Sequence, residues 1–395
     1  MKYDFDKVLD RHGTLSHKWD GMEEEFPGNP QALPFWVADT DFPCPRPIAE
    51  AVCKRAAHPI YGYSDISVKA QGLAARWQEK RNGWKAKPEW VTFSNGIVPA
   101  LSAMVAAFTR PGEGVIVQPP VYYPFQDSVV NNGRKLVENP LVFDGEKWGI
   151  NFEELEQLAA DPGNKLLLLC HPLNPVSRVL DREELKRIGD ICIHNEVIVA
   201  IDEIHSDLTY QHKRFYSLAG LGKEYERISV TAMAPSKTFN IAGLQISAIL
   251  IPDEALREAF VKEMDRRVNI PNAFGVTAFD VAYSDPECEE YLEQLLAYLW
   301  ENYLFVDRYL GKWMPKITCQ KPDATYLLWL DCRKLHLNDD ALEHFWLREA
   351  GLALDAGRWF GRGGSGFMRM NIGCARSLLA QGLGQLREAY RKRGF

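Results

Sequence analysis

Lys237 lies in Ala234-Pro235-Ser236-Lys237-Thr238-Phe239-Asn240-Ile241-Ala242-Gly243-Leu244, just past the apolar run Ile228 to Ala232. A lysine on a polar loop at a strand's end attacks an aldehyde once its surroundings leave part of its amine unprotonated. Asp202 directly follows another apolar run, Val197 to Ile201. A carboxylate there can keep a pyridine nitrogen protonated and so turn the ring into an electron sink, while His205 can donate to a ring hydroxyl. Ser94-Asn95-Gly96-Ile97-Val98 joins the strand-like Trp90 to Phe93 to a helical stretch opening near Pro99. Small residues at such a turn leave backbone N–H groups free for a phosphate, those of Gly96 and Ile97 among them, to which Ser236 can add a hydroxyl. Asn174, before Pro175, can bond a ring oxygen, and Tyr122 in Pro119-Pro120-Val121-Tyr122-Tyr123 can stack on a flat ring. Arg369 is a charge inside the apolar strand-like run Phe367 to Asn371 and needs a carboxylate, from a neighbouring side chain or from an amino-acid substrate gripped bidentately. Aldehyde, ring nitrogen and phosphate are the three handles of pyridoxal 5'-phosphate (PLP).

Each residue also has a commoner use. A lysine is usually a solvated surface charge, an aspartate after a strand a helix N-cap, and Asn-Pro a turn. What separates the two uses is whether the surrounding elements bring these side chains together. Val115 to Gln118, Lys165 to Cys170, Val197 to Ile201, Ile228 to Ala232 and Ile246 to Ile251 are short apolar runs bounded by turn residues, alternating with helical stretches such as Pro99 to Thr109 and Asp181 to His194. Continuous apolar strands alternating with helices imply an α/β fold with a mostly parallel sheet covered on both faces and ligands at the strands' carboxyl ends. The pattern then changes to a long helix Glu289 to Tyr309, a run Ala324 to Asp331, a helix Asp339 to Ala350, a strand Phe367 to Ile372 and a helix from Ser377, an order that suggests a smaller α+β domain. The expected division is therefore 1–47 as an N-terminal segment joining the small domain, 48–289 as the large domain and 290–395 as the small one.

With 46 Lys+Arg against 53 Asp+Glu the chain carries −7, and its longest basic run is Arg391-Lys392-Arg393, so nucleic acid is not an expected partner. Eight cysteines without a C-x-x-C pair or a Cys/His cluster fit free thiols in a reducing compartment and no metal. The start, Met1 to Lys7, lacks the apolar stretch of a signal peptide, and no apolar run nears membrane-spanning length. The expectation is a cytoplasmic protein acting on small molecules, away from membranes.

In their order along the chain, Gly96, Tyr122, Asn174, Asp202, Lys237 and Arg369 resemble the cofactor and carboxylate residues of fold-type-I PLP-dependent transferases, the aminotransferase superfamily. Asp10-Arg11-His12-Gly13-Thr14-Leu15-Ser16-His17-Lys18-Trp19-Asp20, Trp36-Val37-Ala38-Asp39-Thr40-Asp41-Phe42, Tyr61-Gly62-Tyr63 and Arg369-Met370-Asn371-Ile372-Gly373-Cys374 are similar to the cystathionine β-lyase branch that includes the maltose-regulon modulator. The chain departs from the pattern at His171, Leu173, Ser177, Ala234 and Ala375. The resemblance implies a carbon–sulfur lyase acting on cystathionine or related cysteine conjugates, with Lys237, Tyr122 and Asp202 catalytic and Arg369 holding the substrate carboxylate. It also implies a homodimer with active sites at the interface, where Tyr63 reaches the neighbouring subunit's phosphate. Two alternatives stay open: an aminotransferase using the same residues, and a regulatory binding protein that retains PLP.

Overall fold

The computed structural model describes residues 3–267 and 269–395. Its central element is a seven-stranded sheet. In chain order the strands are β1 (Val91–Ser94), β2 (Gly114–Val117), β3 (Lys135–Glu138), β4 (Asn164–Cys170), β5 (Ile198–Asp202), β6 (Ser229–Met233) and β7 (Ser247–Leu250). Across the sheet they run β1-β7-β6-β5-β4-β2-β3. The pairs from β3 to β6 are parallel, and β7 is antiparallel to both neighbours. Leu166, Leu167, Leu168 and Leu169 of β4 are all buried, as expected of a strand covered on both faces, where alternation has no meaning. Helices supply the cover. Ile97–Phe108 packs over the sheet with Ala100, Leu101 and Met104 inward, and Arg182–His194 begins in a capping box between Asp181 and Glu184.

A 28-residue helix, Pro286–Trp313, leads out of this layer; it extends beyond the expected Glu289 to Tyr309 because Asp285 caps it and Pro286 occupies its first turn. Beyond it stand β8 (Thr318–Cys319), β9 (Leu327–Asp331), β10 (Leu352–Ala353), β11 (Asp355–Ala356) and β12 (Phe367–Asn371), with β8-β9-β12-β11 forming an antiparallel four-stranded sheet. The expected helix Asp339 to Ala350 is α-helical only as far as His344; Phe345–Glu349 widens into a π turn. The closing helix is Arg376–Lys392.

The N-terminal segment crosses between the two sheets. Leu33 and Pro34 pair in parallel with β10, and Asn371 N–H of β12 donates to Phe35 O at 2.9 Å. Farther along, Asn371 Nδ2 donates to Val37 O and Asp39 O, and Asn240 Nδ2, three residues past Lys237, donates to Thr40 O and Phe42 O. Residues 35–42 are thus strung between β12 and the Lys237 loop. Ionic contacts fix the other side of this strap: the wholly buried Lys18 ammonium donates to Asp41 Oδ2 at 2.8 Å, and Arg11 bridges Asp39 and Asp41.

Candidate active site

The parallel strands of the large sheet end in loops at one edge, and the polar residues at or after the ends of β4, β5 and β6 converge there because those strands are parallel neighbours. Gly96, Ile97, Tyr122, Asn174, Asp202, His205, Ser236 and Lys237 line one cavity, with Ala38, Cys170, Gln245 and Ile246. Arg369 stands behind it, donating from Nη1 to Asn174 Oδ1 at 3.1 Å. Tyr63 is not brought there: it is 95% exposed on an extended stretch of this chain. None of the five departures, His171, Leu173, Ser177, Ala234 and Ala375, lines the cavity.

Lys237 Nζ donates to Ala38 O at 2.7 Å, and Tyr326 Oη donates to the same carbonyl at 3.0 Å. Burial pushes the Lys237 pKa down to about 8, Arg369 adds to the effect, and Asp39 and Asp202 oppose it. A substantial fraction of the amine is therefore neutral and nucleophilic near physiological pH. Asp202, at the end of β5, is raised by burial to about 6 against the Ile204 N–H, which donates to Oδ1 at 3.0 Å, and the Lys237 charge. A cation beside it would hold it ionised. Burial first, then Lys237 and Arg369, push His205 down to about 3, so the imidazole is neutral, and its Nδ1 is buried without a hydrogen-bond partner.

Also lining the cavity, Gly96 caps the helix Ile97–Phe108 with φ 119° and ψ 166°, a region open in practice only to glycine. A Cβ there would meet nothing nearer than Pro99 Cδ at 3.7 Å, so backbone conformation, not space, demands the glycine. The first-turn N–H groups of Ile97 and Val98 have no carbonyl within the helix to bond and sit at its positive end. Asn269 fixes this turn from outside, accepting from Asn95 N–H at 3.2 Å and donating to Phe93 O at 2.8 Å.

These features fit PLP: a partly neutral amine, a buried acid wanting a cation, an orphaned imidazole nitrogen and a helix start for an anion. Asn269, Tyr326 and the Ala38 carbonyl were not among the residues singled out in the sequence. A backbone carbonyl carries no sequence signal; the tyrosine and asparagine stand in unexceptional contexts. Among the described residues, no group of three or more His, Cys, Asp or Glu is placed to hold a metal ion, all eight cysteines are free, and no helix is long and apolar enough to cross a membrane.

Comparison with known proteins agrees with the fold and the cofactor. Residues 39–386 match the model of the class I and II aminotransferases. The chain is 44% identical over 386 residues to cystathionine beta-lyase PatB of Bacillus subtilis, covering 98% of this chain and 99% of that protein. It is 30% identical to protein MalY of Escherichia coli, covering 98% and 99%. Among solved structures, cystalysin of Treponema denticola, which contains a pyridoxal 5'-phosphate cofactor, superposes over the whole of both chains with TM-score 0.96 at 33% identity. The PLP-bound C-S lyase of Staphylococcus hominis does so over 98% of each chain with TM-score 0.91 at 28% identity.

Proposed function

The chain belongs to the class I and II aminotransferase family, and from that membership we propose that it is a PLP-dependent carbon–sulfur β-lyase. It cleaves cystathionine or a related cysteine conjugate: with one water consumed, the Cβ–S bond breaks and thiol, pyruvate and ammonia leave. The observation that carries this reading is the likeness, over nearly its whole length, to a protein named as a cystathionine beta-lyase.

PLP, when bound, supplies an aldehyde for an amine and a ring that withdraws electrons from the substrate's Cα. Lys237 would hold the cofactor's aldehyde through its amine, and the same Nζ is placed to take the proton from a substrate's Cα. Its lowered pKa suits it to be a base there. Asp202 would keep the ring nitrogen protonated, and the mutual attraction would keep Asp202 ionised. Neutral His205 and the Asn174 amide would hold the ring's polar substituents, and Tyr122 would pack against the ring. Ile97 N–H and the Ser236 hydroxyl would hold the phosphate at the turn that Gly96 makes possible. Arg369 fixes the substrate carboxylate so that the Cα–H bond stands across the ring.

The active molecule is a homodimer. The exposed stretch with Ile60, Tyr61, Tyr63 and Val68 is an apolar surface that a second copy would cover. Tyr63 of the partner subunit would then bond the phosphate. The large domain, 48–289, carries the cofactor, and the small domain, 290–395 with 1–47, closes over the substrate. The protein works in the cytoplasm, which fractionation of its source cells tests.

The deciding experiment is incubation of the purified protein with L-cystathionine and no keto acid. Pyruvate and thiol are expected. Strict dependence of turnover on 2-oxoglutarate would replace the lyase by an aminotransferase, and no turnover of any amino acid would leave a binding protein.

A further inference from the structure

Arg369 does not wait empty for a substrate. Asp355 of β11 is its direct partner in the strand register, and Arg369 Nη2 donates to Asp355 Oδ2 and, at 3.2 Å, to Trp36 O. Nη1 donates to Asn174 Oδ1, the guanidinium lies over the Phe360 ring at 4.8 Å, and Nε, also buried, has no partner. A guanidinium offers five N–H donors, and a bidentate grip uses one edge of the fork, Nε with Nη2 or Nη1 with Nη2. Both Nη2 hydrogens are already engaged. A substrate carboxylate therefore completes its grip only by sharing Nη2 with Asp355 or the Trp36 carbonyl.

The charge balance is as important as the donor count. Arg369 and Asp355, both almost fully buried, sum to zero before any substrate arrives. Glu25 is close enough to help raise the Asp355 carboxyl and the Tyr123 phenol, after burial, and Asp355 also acts on Tyr122, which lines the cavity. The substrate's own carboxylate thus enters a neutral pair flanked by a further acid. A second carboxylate on its side chain deepens the imbalance, and an ammonium there relieves it.

Resting on the lyase reading, we propose that Asp355, seconded by Glu25, determines specificity: it favours cysteine conjugates whose departing group carries a net positive charge, accepts neutral or zwitterionic ones such as that of cystathionine less well, and rejects those with a net negative charge. The same rule disfavours dicarboxylic keto acids, the acceptors that transamination would need.

The test uses the PLP-loaded enzyme and three thioethers of similar size, S-(2-aminoethyl)-, S-ethyl- and S-carboxymethyl-L-cysteine. Binding is read from the change in cofactor absorbance and turnover from pyruvate. Wild type is expected to bind the aminoethyl compound at least about tenfold more tightly than the carboxymethyl one, with ethyl between, the effect of one charge reversal at close range. Asp355→Asn should bring the three within about threefold, a compression set by the same charge term, and Glu25→Gln should shift them the same way by less. A flat or reversed wild-type series overturns the proposal, as does an Asp355→Asn variant that weakens all three equally. The wild-type series and Glu25→Gln decide the matter even if Asp355→Asn fails to fold. Ordered binding without pyruvate would defeat the lyase reading and leave the charge rule standing; pyruvate from all three without order would do the reverse.

Discussion

Lys237 is a lysine whose usefulness comes from where it is buried. Only the neutral amine attacks an aldehyde, and burial sets its pKa at about 8. In the apoprotein, capture of PLP should accelerate as pH rises through about 8 and level off above it, followed by the growth of visible absorbance. A rate still climbing toward pH 10, the ordinary lysine range, would show an amine that burial has not tuned. Lys237→Ala should bind PLP without a borohydride-stable link and lose about a hundred- to ten-thousandfold in pyruvate formation, the worth of a positioned base. The candidacy of this lysine was legible from its place after an apolar run, but its tuning was not. Burial, Arg369, Asp39 and Asp202 set it, and the carbonyl it bonds is 199 residues away in the chain.

At the scale of elements, two local devices hold the site's shape. Gly96 turns β1 into the helix Ile97–Phe108 through a conformation that a side chain resists. Gly96→Ala should cost about 1–3 kcal/mol of stability, read by thermal unfolding, and weaken PLP retention. If the unfolding midpoint does not move, the turn has relaxed to an ordinary one. The second device is the strap 35–42, anchored by Asp41. Burial alone would raise the Asp41 carboxyl, but Lys18, Trp19 and Arg11 overturn that and hold it below its ordinary value. Asp41→Ala leaves the buried Lys18 ammonium with Asp39, at 3.9 Å, in place of its 2.8 Å partner, and should cost about 3 kcal/mol in urea unfolding. Because the folded pKa lies below the unfolded one, the stability from Asp41 is complete above the unfolded value of about 3.9 and is lost as pH falls through the folded one. The difference between wild type and Asp41→Ala should therefore shrink only below about pH 4. A difference already shrinking near neutral pH would assign the effect to another group.

At the scale of the whole molecule, one chain assembles nearly all of the cavity yet leaves Tyr63 in solvent. A dimer, about twice 44.9 kDa by light scattering, would place the exposed segment on its twin. Hybrids decide whether Tyr63 acts across the interface. Mixing Tyr63→Phe with Lys237→Ala subunits should restore roughly a quarter of wild-type activity at limiting PLP, because half the dimers are mixed and each holds one intact site. If Tyr63 served its own subunit, no mixed dimer would hold an intact site and nothing would be recovered.

The chemistry-bearing residues of the large sheet were legible because they follow a local rule. A polar residue at, or within about five residues of, the end of a continuous apolar run stands near the end of a buried strand, and neighbouring parallel strands bring such ends together. Asp202, Asn174 and Lys237 are all of that kind, and Gly96 marks its turn by type. Asp355 was invisible, since nothing local announces that its strand lies in register with Arg369. The Ala38 carbonyl, the Asn269 brace and the neutrality of His205 were equally out of reach, for they depend on which distant groups packing excludes from water or brings within bonding distance. The sequence by itself determined which side chains could do the chemistry. Only the tertiary structure decided their protonation and their partners, because both depend on burial and proximity between segments hundreds of residues apart.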